Sequence, residues 1–222
     1  ENLSYFGLGD EAHAIYNFPL PPLILHAMMT GNAQYLQRWQ RGMPPAPMGC
    51  AYLNFTASHD GIGMRPAEGI LPDDEKQKVI DTVIDLGGLV SMRTMPDGSE
   101  SPYELNTTFY DAMSRTFAGP DEHHPARFMS SQTIVMSLAG IPAFYIHAML
   151  ATPNDHNGVT HRGMSRAINR HRWDYPALRA LLSDPSTPNA RALTDLSTRL
   201  KIRQQQAAFH PNATQFTVNM GD

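Results

Sequence analysis

Hydrophobic residues along the chain form short runs separated by polar, proline-rich and glycine-rich stretches. The apolar run 51–55 is bounded by polar residues and glycines, which is typical of a buried strand of about five residues. Residues 12–18 alternate between small or apolar and polar side chains and predict a second short strand. Residues 141–146 follow a glycine and predict a third, buried strand.

Segments with helical spacing follow these strands. We predict helices over residues 23–29, 32–40, from the acidic positions 73–75 to the glycines at 87 and 88, 107–117 and 126–139, and a last helix capped by Asn189. Alternating β and α elements favour a parallel sheet with crossover helices.

Three segments depart from this alternation. Residues 89–95 and 101–106 flank an Asp-Gly pair that suits a tight turn, so they predict a hairpin, with 101–106 as a loop or the second arm. Residues 152–164 are polar and predict a long loop. Residues 214–220 alternate with period two, which predicts a half-buried strand that needs partners beyond itself.

Composition excludes several classes of protein. The chain has 222 residues, 41% of them hydrophobic and 17% charged, with a net charge of -4, which is typical of a globular protein and gives no electrostatic footprint for nucleic acid. No apolar run approaches the roughly 20 residues that span a bilayer, and no secretory signal is seen, so no membrane partner is expected. The single Cys50 fits a reducing, cytoplasmic compartment and is expected to be packed rather than reactive.

Candidate chemistry lies directly after the strand predicted at 51–55, where His59 and Asp60 stand together. In α/β barrels the carboxyl ends of the strands carry the chemistry. The alternative interpretation is that the two side chains only cap the strand. His123 and His124 are the other candidate pair, but no further ligands stand at zinc-like spacing, so no metal site is expected.

Residues Asn54 to Gly69, Asn-Phe-Thr-Ala-Ser-His-Asp-Gly-Ile-Gly-Met-Arg-Pro-Ala-Glu-Gly, resemble the fourth conserved region of the α-amylase superfamily, glycoside hydrolase family 13. The Gly-Ile-Gly-x-Arg-Pro-Ala-Glu-Gly form resembles the sucrose-phosphorylase-like branch, which includes glucosylglycerate phosphorylases. Four further segments match in the family's order: residues 1–7, 103–110, 140–147 and 168–173.

The resemblance implies an α/β fold, the C-terminal part of a (β/α)8 TIM barrel with about three β/α units. Residues 1–207 would belong to the barrel, with an inserted loop and hairpin region at about 89–125, and residues 208–222 would begin a C-terminal β domain. An incomplete barrel exposes sheet edges and an apolar face, so the isolated chain is expected to be marginally stable. The family's nucleophilic Asp and acid/base Glu would precede residue 1, which implies an inactive fragment.

The resemblance also implies roles for individual residues. Asp60 matches the transition-state stabiliser that binds glucose hydroxyls, and His59 is its partner that donates to the sugar. Arg166 matches an arginine that contacts the bound glucose; the alternative is a surface ion pair. Tyr103 and Glu104 match an acceptor-site loop.

At the second of these acceptor positions the sucrose-cleaving relatives usually carry Gln. A carboxylate there disfavours fructose as the acceptor, and it would repel phosphate unless a cation neutralises it. His147, where amylases often have Gly, also indicates a specificity other than sucrose.

The implied function is retaining transfer of glucose from an α-glucoside, such as glucosylglycerate or sucrose, to inorganic phosphate, which gives glucose 1-phosphate. Phosphate is then a co-substrate, and no other cofactor is expected. One alternative is a hydrolase or transglycosidase of the same superfamily. The other is a non-catalytic carbohydrate-binding module. The oligomeric state is left open by the sequence.

Overall fold

The computed structural model describes residues 2–218, and three parallel strands form its central sheet. These are β1 (Ala14–Tyr16), β2 (Ala51–Asn54) and β8 (Ile141–Pro142), in the order β1-β2-β8. Ile15 pairs with Tyr52, and Leu53 pairs with Ile141. The predicted α/β class with crossover helices is confirmed, and the described residues form a partial α/β fold.

Helices connect the strands on the side of the main apolar core. Helix α1 (Leu20–Thr30) and α2 (Gln34–Gly42) link β1 to β2, whereas α3 (Asp73–Asp85) and α5 (His124–Ser137) lie between β2 and β8. Helix α1 tolerates prolines in its first turn, where the missing N–H would have no partner, and it ends at Gly31, whose φ of 71° suits glycine. The largest buried side chains of this core include Leu20, Ile24, Met29, Leu105, Met113 and Phe128.

A second, antiparallel sheet is inserted after β2. Its strands are β3 (Ile62–Gly63), β4 (Leu89–Thr94) and β5 (Glu100–Asn106), in the order β3-β5-β4. The predicted hairpin is therefore confirmed, with 101–106 as its second arm. Because β3 begins only two residues after Asp60, this sheet stands at the carboxyl end of β2. A short hairpin of β6 (Arg115–Thr116) and β7 (Gly119–Pro120) follows α4 (Phe109–Ala112).

The C-terminal third is helical. It contains α6 (Ile146–Met149), α7 (His156–Arg162), α8 (Tyr175–Ser183) and α9 (Pro188–Gln204). A 3₁₀ turn, Ser165–Asn169, follows α7 and carries Arg166. None of the helices within residues 2–218 has the length and apolar character that a membrane crossing requires.

Several predicted elements were wrong. The polar stretch 152–164 contains helix α7, because Asp155 accepts a hydrogen bond from the Gly158 N–H at its start and Gly163 closes it with a φ of 62°. The helix predicted at 107–117 is limited to α4, and the strand predicted at 141–146 to its first two residues. Helix α8 was missed, although Asp174 caps its first turn.

Two predictions concern the C-terminal region. Thr187, not Asn189, caps α9 by accepting from the Ala190 N–H, because Asn189 instead donates to the Leu150 carbonyl at 2.7 Å. Residues 214–218 form no strand, so that prediction was wrong for them, and residues 219–222 lie outside the described part of the chain. Cys50 is packed as predicted, with 2% of its surface exposed. Marginal stability stays a prediction.

Candidate active site

The loop between β2 and β3 presents His59 and Asp60 at the carboxyl end of the parallel sheet. Their side chains are 70% and 41% exposed, and His59 Nε2 lies 3.7 Å from Asp60 Oδ2. The Asp60 N–H donates to Ser58 Oγ at 3.1 Å, which shapes the turn. Within residues 2–218 the Asp60 carboxylate has arginine and histidine partners rather than backbone donors. The capping interpretation therefore does not describe its contacts.

Arg166 joins two carboxylates that are distant in sequence. Its Nη1 lies 2.6 Å from Asp60 Oδ1. Its Nε and Nη2 donate to the two oxygens of Glu104 at 2.9 and 2.7 Å, a bidentate arrangement that fixes the plane of the guanidinium group. Hydrogen bonding to Glu104 raises the pKa of Arg166, so it remains a cation. The Glu104 side chain is 4% exposed and that of Arg166 38%, so the carboxylate end of this ion pair is buried while the arginine remains accessible.

Glu104 reaches this position through close packing against the glycine-rich loop. It pairs with Gly63 across strands β5 and β3. A Cβ atom on Gly61 would stand 2.5 Å from Glu104 Cγ, so only glycine lets the glutamate stem pass. Tyr103 precedes it on the same strand and is 40% exposed. Tyr103 is the extra residue of a β-bulge, because Ser91 pairs with Glu104 and Met92 with Pro102. It lies near enough to Arg166 to contribute to the raised pKa of that arginine, after the larger effect of Glu104.

Two residues that the sequence analysis did not single out hold the same loop. Asn169 Nδ2 donates to the Asp60 carbonyl at 2.8 Å and to the Ser58 carbonyl at 3.3 Å. Arg170 Nε donates to the His59 carbonyl at 2.6 Å, and its Nη2 lies 3.3 Å from Asp60 Oδ1. Both belong to the Ile-Asn-Arg segment that carried part of the family resemblance, which was the only sequence signal for them.

A small cavity of about 10 Å³ lies beneath Asp60, lined in part by Tyr145, His147 and Asn169. Tyr145 donates its hydroxyl hydrogen to the Asn169 carbonyl at 3.0 Å, and burial raises the pKa of this phenol. His147 Nδ1 lies 3.1 Å from Thr152 Oγ1. Burial lowers the pKa of His147, which favours the neutral ring near pH 7.

The arrangement suits binding of a polyhydroxylated ligand. Both arginines approach Oδ1 of Asp60, which leaves Oδ2 on the side of the exposed His59. A carboxylate oxygen and an imidazole are respectively an acceptor and a potential donor for sugar hydroxyls. Within the described residues no group of three or more His, Cys, Asp and Glu side chains is placed to hold a metal ion. His124 Nε2 instead lies 2.8 Å from the Tyr110 carbonyl.

Comparison with known proteins first defines the class of fold. The chain superposes on the crystal structure of sucrose 6F-phosphate phosphorylase from Thermoanaerobacter thermosaccharolyticum with a TM-score of 0.75, over 92% of this chain and 39% of that one. Sequence identity there is 21%, so this likeness concerns the fold. No family model matches the chain.

Sequence relatives are more specific. The chain is 42% identical to the glucosylglycerate phosphorylase of Allomeiothermus silvanus over 97% of its own length, and 39% identical to that of Escherichia coli over 99%. It spans about two-fifths of these relatives, 39% in both cases. The chain belongs to the family of sucrose-phosphorylase-like sugar phosphorylases, as the resemblance predicted.

Proposed function

We propose that the protein containing this chain is a retaining sugar phosphorylase that transfers glucose from an α-glucoside to inorganic phosphate and releases glucose 1-phosphate. Glucosylglycerate is the first donor to test, since the relatives that are 42% and 39% identical bear that name. The observation that carries the proposal is the Asp60–Arg166–Glu104 arrangement at the carboxyl end of β2, in a chain of this family.

Asp60 is assigned the role of stabilising the transition state. Retaining transfer passes through an oxocarbenium-like transition state, in which hydrogen bonds from sugar hydroxyls to a fixed carboxylate strengthen. Arg166 and Arg170 both bind Oδ1, so the orientation of the carboxylate is set before the sugar arrives. His59, 70% exposed beside it, donates to a sugar hydroxyl.

Arg166 also neutralises Glu104, whose negative charge would otherwise repel phosphate at the acceptor site. Both oxygens of Glu104 are taken up by the guanidinium group, so the pair carries no net charge toward the acceptor. We infer that Arg166 contacts glucose with its remaining hydrogens and that Tyr103, which is 40% exposed at the bulge of β5, contacts the acceptor. By the resemblance, the nucleophile and the acid/base would lie outside this chain, so the chain alone is expected to be inactive.

The test uses the complete protein, supplied separately with glucosylglycerate, sucrose and glucosylglycerol, each with and without phosphate. Phosphate-dependent glucose 1-phosphate from one donor identifies a phosphorylase and its acceptor. Free glucose that is indifferent to phosphate moves the assignment to a hydrolase or transglycosidase. Binding of these glucosides without turnover favours a carbohydrate-binding module. Asp60→Asn is the matched control: it keeps the shape of the side chain and should remove most turnover.

A further inference from the structure

The segment 58–60 has little backbone support of its own. Strand β2 ends at Asn54 and β3 begins at Ile62, so the carbonyl groups of these three residues lie outside both sheets. Among the described residues, those carbonyls receive their hydrogen bonds from Asn169 and Arg170, about 110 positions later in the chain. We call Asn169 and Arg170 the loop clamp.

The geometry of the clamp permits only one arrangement of its donors. The amide nitrogen of Asn169 faces two carbonyl oxygens, which can only accept, so the amide cannot be turned over without losing both bonds. Asn169 is 4% exposed, which makes unpaired groups there costly. Arg170 adds a donor to the intervening carbonyl of His59 and a contact with the Asp60 carboxylate itself.

The clamp is itself held in place from two sides. Arg162, at the end of helix α7, donates from Nη1 to the Arg170 carbonyl at 2.9 Å and from Nη2 to the Ala167 carbonyl at 2.8 Å. Tyr145 donates to the Asn169 carbonyl. The 3₁₀ turn that presents Asn169 also presents Arg166. One rigid turn therefore positions both the Asp60 backbone and the cation that binds its carboxylate.

We propose that Asn169 and Arg170 are positioning residues, which fix the His59–Asp60 segment through its carbonyl oxygens so that the Asp60 carboxylate meets the transition state in one orientation. This inference rests on the proposed function. A displacement of about 1 Å in a catalytic group can lower the rate about 100-fold, so loosening this segment acts on turnover more than on donor binding.

The main test compares Asn169→Asp, Arg170→Gln and Arg170→Lys in the complete protein, with Arg172→Gln as the control. Arg172 is the exposed neighbour of the clamp. Asn169→Asp keeps the shape of the side chain but removes both donors and should lower kcat about 100-fold with little change in the donor KM. Arg170→Lys should retain more activity than Arg170→Gln, since it keeps a charged donor, and Arg172→Gln should match the parent.

Hydrogen exchange of the Asp60 backbone amide, which donates to Ser58 Oγ, gives a second readout that a merely structural role would not confine to this loop. Faster exchange there in Asn169→Asp and Arg170→Gln, with unchanged exchange in the central sheet, supports the clamp. Because Asn169→Asp introduces a buried charge that could prevent folding, Arg170→Gln decides the question if the former does not fold. Unchanged exchange of the Asp60 amide, or faster exchange with an unchanged kcat, overturns the inference.

The two readouts separate this inference from the proposed function. If the parent protein releases no glucose 1-phosphate from any donor, the proposed function has failed, and the exchange measurement still decides whether the clamp holds the loop. If the parent is active and Arg170→Gln keeps the parental kcat, the clamp inference has failed while the function stands.

Discussion

Adding one methyl group at Gly61 should disrupt the candidate site, whereas adding the same group two residues later should not. A Cβ atom on Gly61 would lie 2.5 Å from Glu104 Cγ and 2.5 Å from the Leu105 carbonyl oxygen. The second of these belongs to the backbone of β5, which cannot rotate away as a side chain can. On Gly63 the nearest atom would be Pro66 Cδ at 3.6 Å, an ordinary contact.

The magnitudes follow from these distances. Overpacking of this kind typically costs about 1–3 kcal/mol, so Gly61→Ala should lower the free energy of unfolding by about 2 kcal/mol. Gly63→Ala should be neutral or stabilise by roughly 0.4–1 kcal/mol, because alanine restricts the unfolded chain. For a chain of this size, 2 kcal/mol corresponds to a loss of about 4–8 °C in melting temperature.

The assay is paired thermal and urea unfolding of the two variants and the parent chain, with turnover measured in the complete protein. Gly61→Ala should also reduce turnover, because β5 must move away from β3 and carry Glu104 with it, which releases Arg166. Equal melting temperatures for the two variants would refute the argument that close packing against Glu104 requires glycine at 61.

Three further predictions concern interactions outside the loop. A hydrogen bond from His26, and a smaller effect of one from Lys78, lower the pKa of Glu75. Its contribution to stability should therefore be complete above the ordinary pKa of about 4.3 and be lost as the pH falls through the lowered pKa. Glu75→Gln should flatten the dependence of stability on pH in that range. Burial raises the pKa of Asp111, so the free energy of unfolding should fall as the pH rises from about 3.9 through the raised pKa. Asp111→Asn can still accept the hydrogen bond from the Asn154 N–H, so this variant should be more stable than the parent at pH 7. Arg162→Ala should cost about 2 kcal/mol, because it leaves two carbonyls of the 3₁₀ turn without their donor.

Each of the three has its control. Asp74→Asn removes another carboxylate of the first turn of α3, one that is 71% exposed, and should leave the acid-side profile unchanged; an equal change in both variants would contradict the Glu75 argument. A pH-independent effect of Asp111→Asn would contradict the assigned titration. Arg172→Ala should leave the unfolding free energy within about 0.5 kcal/mol, so a similar loss in Arg162→Ala and Arg172→Ala would rule out the anchoring role.

Helix signals were present in the sequence where two helices were missed. Asp155 and Gly163 bracket α7 with a standard N-cap and a left-handed C-terminal residue, and Asp174 caps α8. The prediction of a loop at 152–164 followed the polar composition of this segment rather than these capping residues. Such a helix has a weak apolar stripe because it packs mainly through Arg162 and the neighbouring 3₁₀ turn rather than through a hydrophobic face.

The sequence by itself determined the strands β1 and β2, the helices with a clear buried stripe, the hairpin, the family and the location of His59 and Asp60 at a strand end. These features depend on local periodicity, turn chemistry and motif spacing, all of which are properties of residues close together in the sequence. Only the tertiary structure decided that Arg166 links Asp60 to Glu104 and that Asn169 holds the Asp60 carbonyl, 109 positions away. Such contacts depend on how the 3₁₀ turn and the inserted sheet pack together at the carboxyl end of β2. No local sequence pattern predicts this packing, because the segments are distant in sequence.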